Sequence, residues 1–149
     1  ILIFFLLFII NLKSQPCYNF HKDQACDIKG ILDYKLYGQS KSAMVEAGKT
    51  YQYQVVLFGG YDYKLGLCTE SGFEPLHFRI INGSEAGSVF YDNKDDEYIE
   101  TVGFTIERTK KVIFEITLLA KDKEFKDASD ARACIGVAIY WQKTPKLGI

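Results

Sequence analysis

The stretch Tyr51-Gln52-Tyr53-Gln54-Val55-Val56-Leu57, then Gly59-Gly60, then Tyr61-Asp62-Tyr63-Lys64-Leu65-Gly66-Leu67-Cys68, decides the fold class. Side chains on a strand point alternately to its two faces, so Tyr51, Tyr53, Val55 and Leu57 share one face of the first run. Tyr61, Tyr63, Leu65 and Leu67 share one face of the second. Neither run spaces its apolar residues three and four apart, as a helix requires. Glycine reaches positive φ without a Cβ clash, so Gly59-Gly60 between two alternating runs predicts a β-hairpin.

The period of two continues outward from this stretch. A Ser71-Gly72 turn leads into a strand at residues 76–81, which Asn82-Gly83 ends. Val89-Phe90-Tyr91 is a short strand closed by Asp92-Asn93. Residues 101–106 turn Val102, Phe104 and Ile106 inward, and residues 111–119 turn Val112, Phe114, Ile116 and Leu118 inward. The last strand, residues 134–141, turns Ile135, Val137, Ile139 and Trp141 inward. Residues 31–37 and 42–45 are expected to be earlier strands. No long segment has helical periodicity. The expectation is an all-β protein, an antiparallel β-sandwich or jelly roll of about eight or nine strands. Residues 120–133, rich in both lysine and acid, read as a solvated hairpin loop.

The chain begins Ile-Leu-Ile-Phe-Phe-Leu-Leu-Phe-Ile-Ile-Asn-Leu. At about 1.5 Å of rise per residue that run spans roughly 18 Å as a helix, short of a hydrocarbon core of about 30 Å. It fits the apolar region of a secretory signal, so residues 1–15 are expected to be a signal peptide, truncated at its own start, and residues 16–149 one domain. An acylated Cys17 and a retained N-terminal strand or helix are the rival readings. Removing the leader takes away one base, Lys13, and no acid, so the formal charge moves from −1 to −2. That balance gives no electrostatic reason to expect nucleic acid or an anionic membrane surface, and no transmembrane segment is expected after the leader. Aromatics make up 15% of the chain, which suits strands, where flat rings pack on a pleated surface.

An even number of cysteines in an exported domain predicts disulfides, here from Cys17, Cys26, Cys68 and Cys134. Four cysteines allow three connectivities. The preferred one pairs Cys17 with Cys26 across a short loop and Cys68 with Cys134 between distant segments. Parity supports the second pair, because both cysteines lie opposite the apolar face of their strands. A zinc site from Cys17, His21 and Cys26 is the alternative, and it lacks a fourth close ligand.

Catalytic patterns are absent. The histidines are His21 and His77, and no Gly-x-Ser-x-Gly accompanies them. His77 alternates with Leu76 and Phe78 and reads as an outward strand residue. Gly38-Gln39-Ser40-Lys41-Ser42 lacks the phosphate-loop pattern and reads as a loop. Asp92-Asn93-Lys94-Asp95-Asp96-Glu97 is acidic enough to compare with calcium loops, but Lys94 stands where an EF-hand needs a ligand. A charged turn is the plainer reading, and a different type of calcium site stays open. Tyr34, Tyr37, Tyr51, Tyr53, Tyr61 and Tyr63 could form an exposed row that stacks on sugar rings, or they could fill the core. No catalytic, cofactor-binding or metal residue is therefore assigned, and no cofactor is expected.

Gly38-Gln39-Ser40-Lys41-Ser42-Ala43, Gly60-Tyr61-Asp62-Tyr63-Lys64-Leu65, Phe90-Tyr91-Asp92-Asn93, Cys134-Ile135-Gly136-Val137 and Thr144-Pro145-Lys146-Leu147-Gly148 occur in that order along about three quarters of the chain. In these pieces the chain resembles an uncharacterised family of small exported proteins of Bacteroidota. The resemblance implies a periplasmic or extracellular location and carries no assigned activity. At the level of fold the chain is also similar to bacterial pre-peptidase C-terminal domains, jelly-roll modules on secreted enzymes, some of which bind polymers or calcium. Residues 1–149 themselves include no protease domain, a departure from proteins that carry such modules. The functional expectation is an exported, non-catalytic binding or envelope-associated accessory protein, with an unknown protein or glycan partner. A carbohydrate-binding module using exposed tyrosines is the alternative, and a small hydrolase the third reading.

Overall fold

Two antiparallel sheets pack face to face in the computed structural model, which describes residues 16–22, 26, 28–85 and 87–146. The expected signal segment, residues 1–15, lies outside the described residues. The strands are β1 (Lys35–Leu36), β2 (Lys41–Glu46), β3 (Thr50–Leu57), β4 (Tyr61–Thr69), β5 (Leu76–Asn82), β6 (Val89–Asp92), β7 (Thr101–Ile106), β8 (Lys110–Leu118) and β9 (Arg132–Lys143). One sheet has the order β2-β9-β4-β7, with β1 beside the far end of β9; the other has the order β3-β8-β5-β6.

The pairs β2–β9, β3–β8, β4–β7 and β5–β6 are the rungs of one long hairpin whose tip connects β5 to β6. Successive rungs fall in alternate sheets, so the hairpin is rolled. β9 closes the roll by also pairing with β4, and β8 by pairing with β5. This is the jelly-roll arrangement.

Rolling changes the role of Gly59-Gly60. β3 and β4 lie in different sheets, so the expected hairpin is instead a crossing between layers. A Cβ on Gly59 would come within 2.6 Å of the Glu107 carbonyl oxygen, and Gly60 has φ of 81°. The Gly60 N–H donates to the Ile106 carbonyl at 2.6 Å, tying the crossing to the end of β7. Hairpins and crossings both need positive φ, and the local sequence does not separate them. Residues 120–133 are likewise no hairpin loop: they lead from β8 in one sheet to β9 in the other, with Phe125 stacked on Phe73 at 5.9 Å. Of residues 31–37, expected as a strand, only Lys35 and Leu36 pair.

The inward faces are those that alternation assigned. Val55, Leu57, Tyr63, Leu65, Val112, Phe114, Leu118, Val137 and Ile139 are buried between the sheets. β9 and the middle of β4 are buried on both faces, because the N-terminal segment crosses the outside of their sheet. Two disulfides hold it there, Cys17–Cys134 with Cα atoms 5.3 Å apart and Cys26–Cys68 with 4.9 Å. The preferred connectivity is thereby corrected. Cys68 and Cys134 do point off the core face, as parity required, but each meets a cysteine of the crossing segment instead of the other. The zinc alternative falls with it, since neither Cys17 nor Cys26 is a free thiolate.

The crossing segment fits because of two glycines. A Cβ on Gly136 would lie 2.7 Å from Cys26 Sγ and 2.9 Å from His21 Cα, and a Cβ on Gly66 would lie 2.6 Å from Ile28 Cγ1. The buried Ile28 side chain itself contributes about 2 kcal/mol. Lys64 Nζ donates to the Gly30 carbonyl at 2.6 Å and sits over the Tyr34 ring.

Peptide mapping without reductant is expected to return the 17–134 and 26–68 linked fragments. These bonds close 117 and 42 residues, worth about 5 and about 4 kcal/mol in the loop-entropy picture. Reduction should therefore lower the melting temperature strongly. Coincident melts with and without reductant would contradict the assignment.

Candidate functional site

The outer face of the β3-β8-β5-β6 sheet carries a connected polar ladder. His77 points outward on β5, and its Nε2 lies 2.7 Å from Asp92 Oδ1 on β6. The Tyr98 ring meets the His77 ring edge-on. Two residues along β5, Arg79 Nε donates to Glu115 Oε1 at 2.7 Å, and Gln52 Nε2 donates to Glu115 Oε2 at 2.5 Å. The hydroxyls of Thr50 and Thr117 continue the row at 2.8 Å. Burial pushes the Asp92 carboxyl up, but the Lys94 backbone N–H and the His77 ring outweigh it and hold the group below the usual carboxylate range. Burial acts the same way on Glu115, and Gln52 and Arg79 outweigh it. His77 thus serves as a partner for a carboxylate.

The acidic loop is built as a short 3-10 turn, Asn93–Asp96, capped by Asp92, whose side chain accepts from the Lys94 N–H at 2.9 Å. Its second residue is the important one. Asn93 is fully buried; its Oδ1 accepts from the Phe78 N–H at 2.8 Å and its Nδ2 donates to the carbonyls of Leu76 and Ile99. One side chain thereby replaces three backbone partners and fixes the turn to β5. The sequence reads Asn93 as a turn residue and carries no local signal for this lock. Among the described residues, no three histidine, cysteine, aspartate or glutamate side chains converge as a cation site would need.

His21, on the crossing segment, is buried against the sheet. Its backbone N–H donates to Ser42 Oγ at 2.8 Å, and its Nδ1 lies 2.5 Å from the same oxygen. The pair clamps the segment onto β2. The tyrosines are divided. Tyr37 and Tyr63 are buried, Tyr53 is mostly buried, and Tyr61 stacks on Trp141 at 4.6 Å. Tyr51 lies on β3 and Tyr34 in the irregular segment before β1, so the described residues form no continuous exposed row.

What the fold leaves open is its two sides, where the sheet edges face each other. On one side, between β6 and β7, lies a cleft of about 470 Å³ with Leu57, Ile80 and Val112 at its floor and Phe90, Val102 and Phe104 along its walls. Phe90 is 48% exposed and neighbouring Val89 43%. The Lys110 ammonium lies 4.8 Å from the centre of the Phe90 ring, and Tyr91 donates to Asp96 at 3.1 Å. Burial, and then Asp96, pushes the Tyr91 phenol up to about 12. β6 and β7 each end their sheet, so both present unpaired backbone groups to the cleft.

On the other side, between β2 and β3, a smaller cleft of about 190 Å³ is lined by Lys41, Val45, Tyr53 and Val137. The Tyr53 hydroxyl is buried with no hydrogen-bond partner, and its burial pushes the phenol upward. Lys41 Nζ lies 4.7 Å above the Tyr53 ring.

No family model matches the chain, and no curated protein matches it. Among solved structures, a chain similar to this one is a periplasmic lysozyme inhibitor of g-type lysozyme from Aeromonas hydrophila. It is 14% identical, with a TM-score of 0.47 over 69% of this chain and 84% of that one. A likeness at that distance transfers no function.

Two outcomes follow from these groups. Tyr53→Phe removes a buried hydroxyl that has no partner, so it should raise stability by about 1 kcal/mol in chemical denaturation; a loss would mean that the hydroxyl is satisfied. Asp92 and Glu115 have lowered carboxyl values in the folded state. Their contribution is complete above their unfolded values of about 4 and is lost as pH falls through the folded ones. Thermal melts should therefore drop below about pH 4, and Glu115→Gln should flatten part of that dependence.

Proposed function

We propose that the mature chain is an exported, non-catalytic binding protein that works in the periplasm or outside the cell by holding a protein partner. One observation carries this reading: an apolar cleft with an exposed phenylalanine lies between two strand edges that pair with no further strand among the described residues. Unpaired edges and exposed apolar surface are liabilities that a monomeric sandwich normally covers, and keeping both at one place is what a protein-binding site requires. The paired cysteines support an oxidising compartment, where such bonds persist. The ionised and polar groups of the outer ladder are turned toward one another, which favours a structural role over catalysis. Sugar stacking would need a flat exposed aromatic row, and Tyr37, Tyr53 and Tyr63 face the core instead.

A photo-crosslinking amino acid at Val89, beside the cleft, tests this in intact cells, with the same group at Gln54 on the outer face of β3 as control. The expected result is a protein adduct at position 89 that is missing at 54 and weakened several-fold by Phe90→Ser. Equal labelling at both positions, or no protein adduct, would overturn the reading.

A further inference from the structure

The β6–β7 cleft has a direction. The Asp96 carbonyl accepts from the N–H of Ile99, two residues before β7, and the Asp92, Asp95 and Asp96 side chains line a continuation of the cleft over Val89, Phe90 and Tyr91. Lys94 is the one base on that turn. Beside the end of β7 stand Arg108 and Lys110, with Glu107 the one acid among them. One end of the cleft is therefore net negative and the other net positive.

Its two edges also differ. β6 is four residues long, and its register against β5 shifts between Ile80 and Ile81. Such irregularity bends an edge away from further pairing. β7 is six residues long and keeps unbroken register with β4 from Ile106 to Thr101. Val102 and Phe104 turn toward the cleft, and exposed Thr101, Gly103 and Thr105 alternate with them, so an incoming backbone meets small residues. A cleft of about 470 Å³ lies within the range, ~300–1,000 Å³, that takes a small ligand or a few side chains.

We propose that this cleft binds an extended segment of the partner protein, added antiparallel to the free edge of β7. Alternate apolar side chains of that segment enter the cleft. An acidic residue near its start faces Arg108 and Lys110, and a basic residue near its end faces Asp95 and Asp96. Antiparallel addition is chosen because its hydrogen bonds are the stronger per residue, and it sets the order of the charges. This inference rests on the protein-binding reading above and names the partner's chemistry at the same site.

Two labelled peptides of one composition test it: Glu-Val-Thr-Val-Thr-Val-Lys and its reverse, Lys-Val-Thr-Val-Thr-Val-Glu. In fluorescence anisotropy at low salt the first should bind about tenfold more tightly, a gap that shrinks as salt is added. Asp95→Lys combined with Lys110→Glu should invert the preference while the far-ultraviolet spectrum and melt stay those of a folded protein. N-methylating alternate backbone amides of the first peptide, on the edge that would face β7, should abolish binding, because strand addition needs those donors. Equal affinity for both orders, no binding of either peptide, or undiminished binding of the methylated peptide would overturn the proposal. The two tests fail separately: the adduct at position 89 reports whether a protein is held, and the peptide pair reports how.

Discussion

The molecule depends on β9 being buried on both faces. This strand pairs with β2 and with β4, so it joins the first and third rungs of the rolled hairpin. Its inner residues Ile135, Val137 and Ile139 belong to the main core, and its outer residues Cys134, Gly136 and Ala138 lie beneath the N-terminal segment. Gly136 is the point on β9 where the segment comes nearest. Cys26, Cys68 and His21 all approach it more closely than a Cβ would permit. The backbone of β9 thus forms the floor on which the crossing segment rests, and one disulfide holds the segment to β9 and the other to neighbouring β4.

That arrangement decides which parts of the surface are spare. One sheet is covered outside by the crossing segment, and the other carries a ladder in which Glu115 and Asp92 are taken up by Gln52, Arg79 and His77. The two open sides remain. The β2–β3 side is narrow, with Lys41 lying across Tyr53. The β6–β7 side is wider, apolar and bounded by opposite charges. A jelly roll does not close into a barrel, so it always leaves sheet edges, and here one pair of edges holds a cleft large enough to receive side chains.

Much of this was legible beforehand, and for one reason. In a strand the side-chain period is two, so the choice of buried face propagates along every run without knowledge of the partner. Val112, Phe114, Ile116 and Leu118 were placed inward that way, and Cys68 and Cys134 outward. The same logic says nothing about neighbours. Gly59-Gly60 has the dihedral freedom of a hairpin yet spans two sheets, and Cys68 faces outward yet meets Cys26 instead of Cys134. Asn93 was hidden for a different reason: its three hydrogen bonds go to β5 and to Ile99, and no local pattern distinguishes them from a solvated turn.

The sequence by itself determined the class of structure and the division of each strand into an inner and an outer face, because both follow from local periodicity. It also determined that the cysteines would be used up as pairs. Only the tertiary structure decided which cysteine meets which, that six tyrosines make no continuous exposed row, and that Phe90 stands beside a cleft with lysine at one end and aspartates at the other. Those facts rest on how the hairpin rolls. Rolling brings β6 opposite β7, and the Phe90 ring beneath the Lys110 ammonium, through pairings between residues far apart in the chain, which no local pattern encodes.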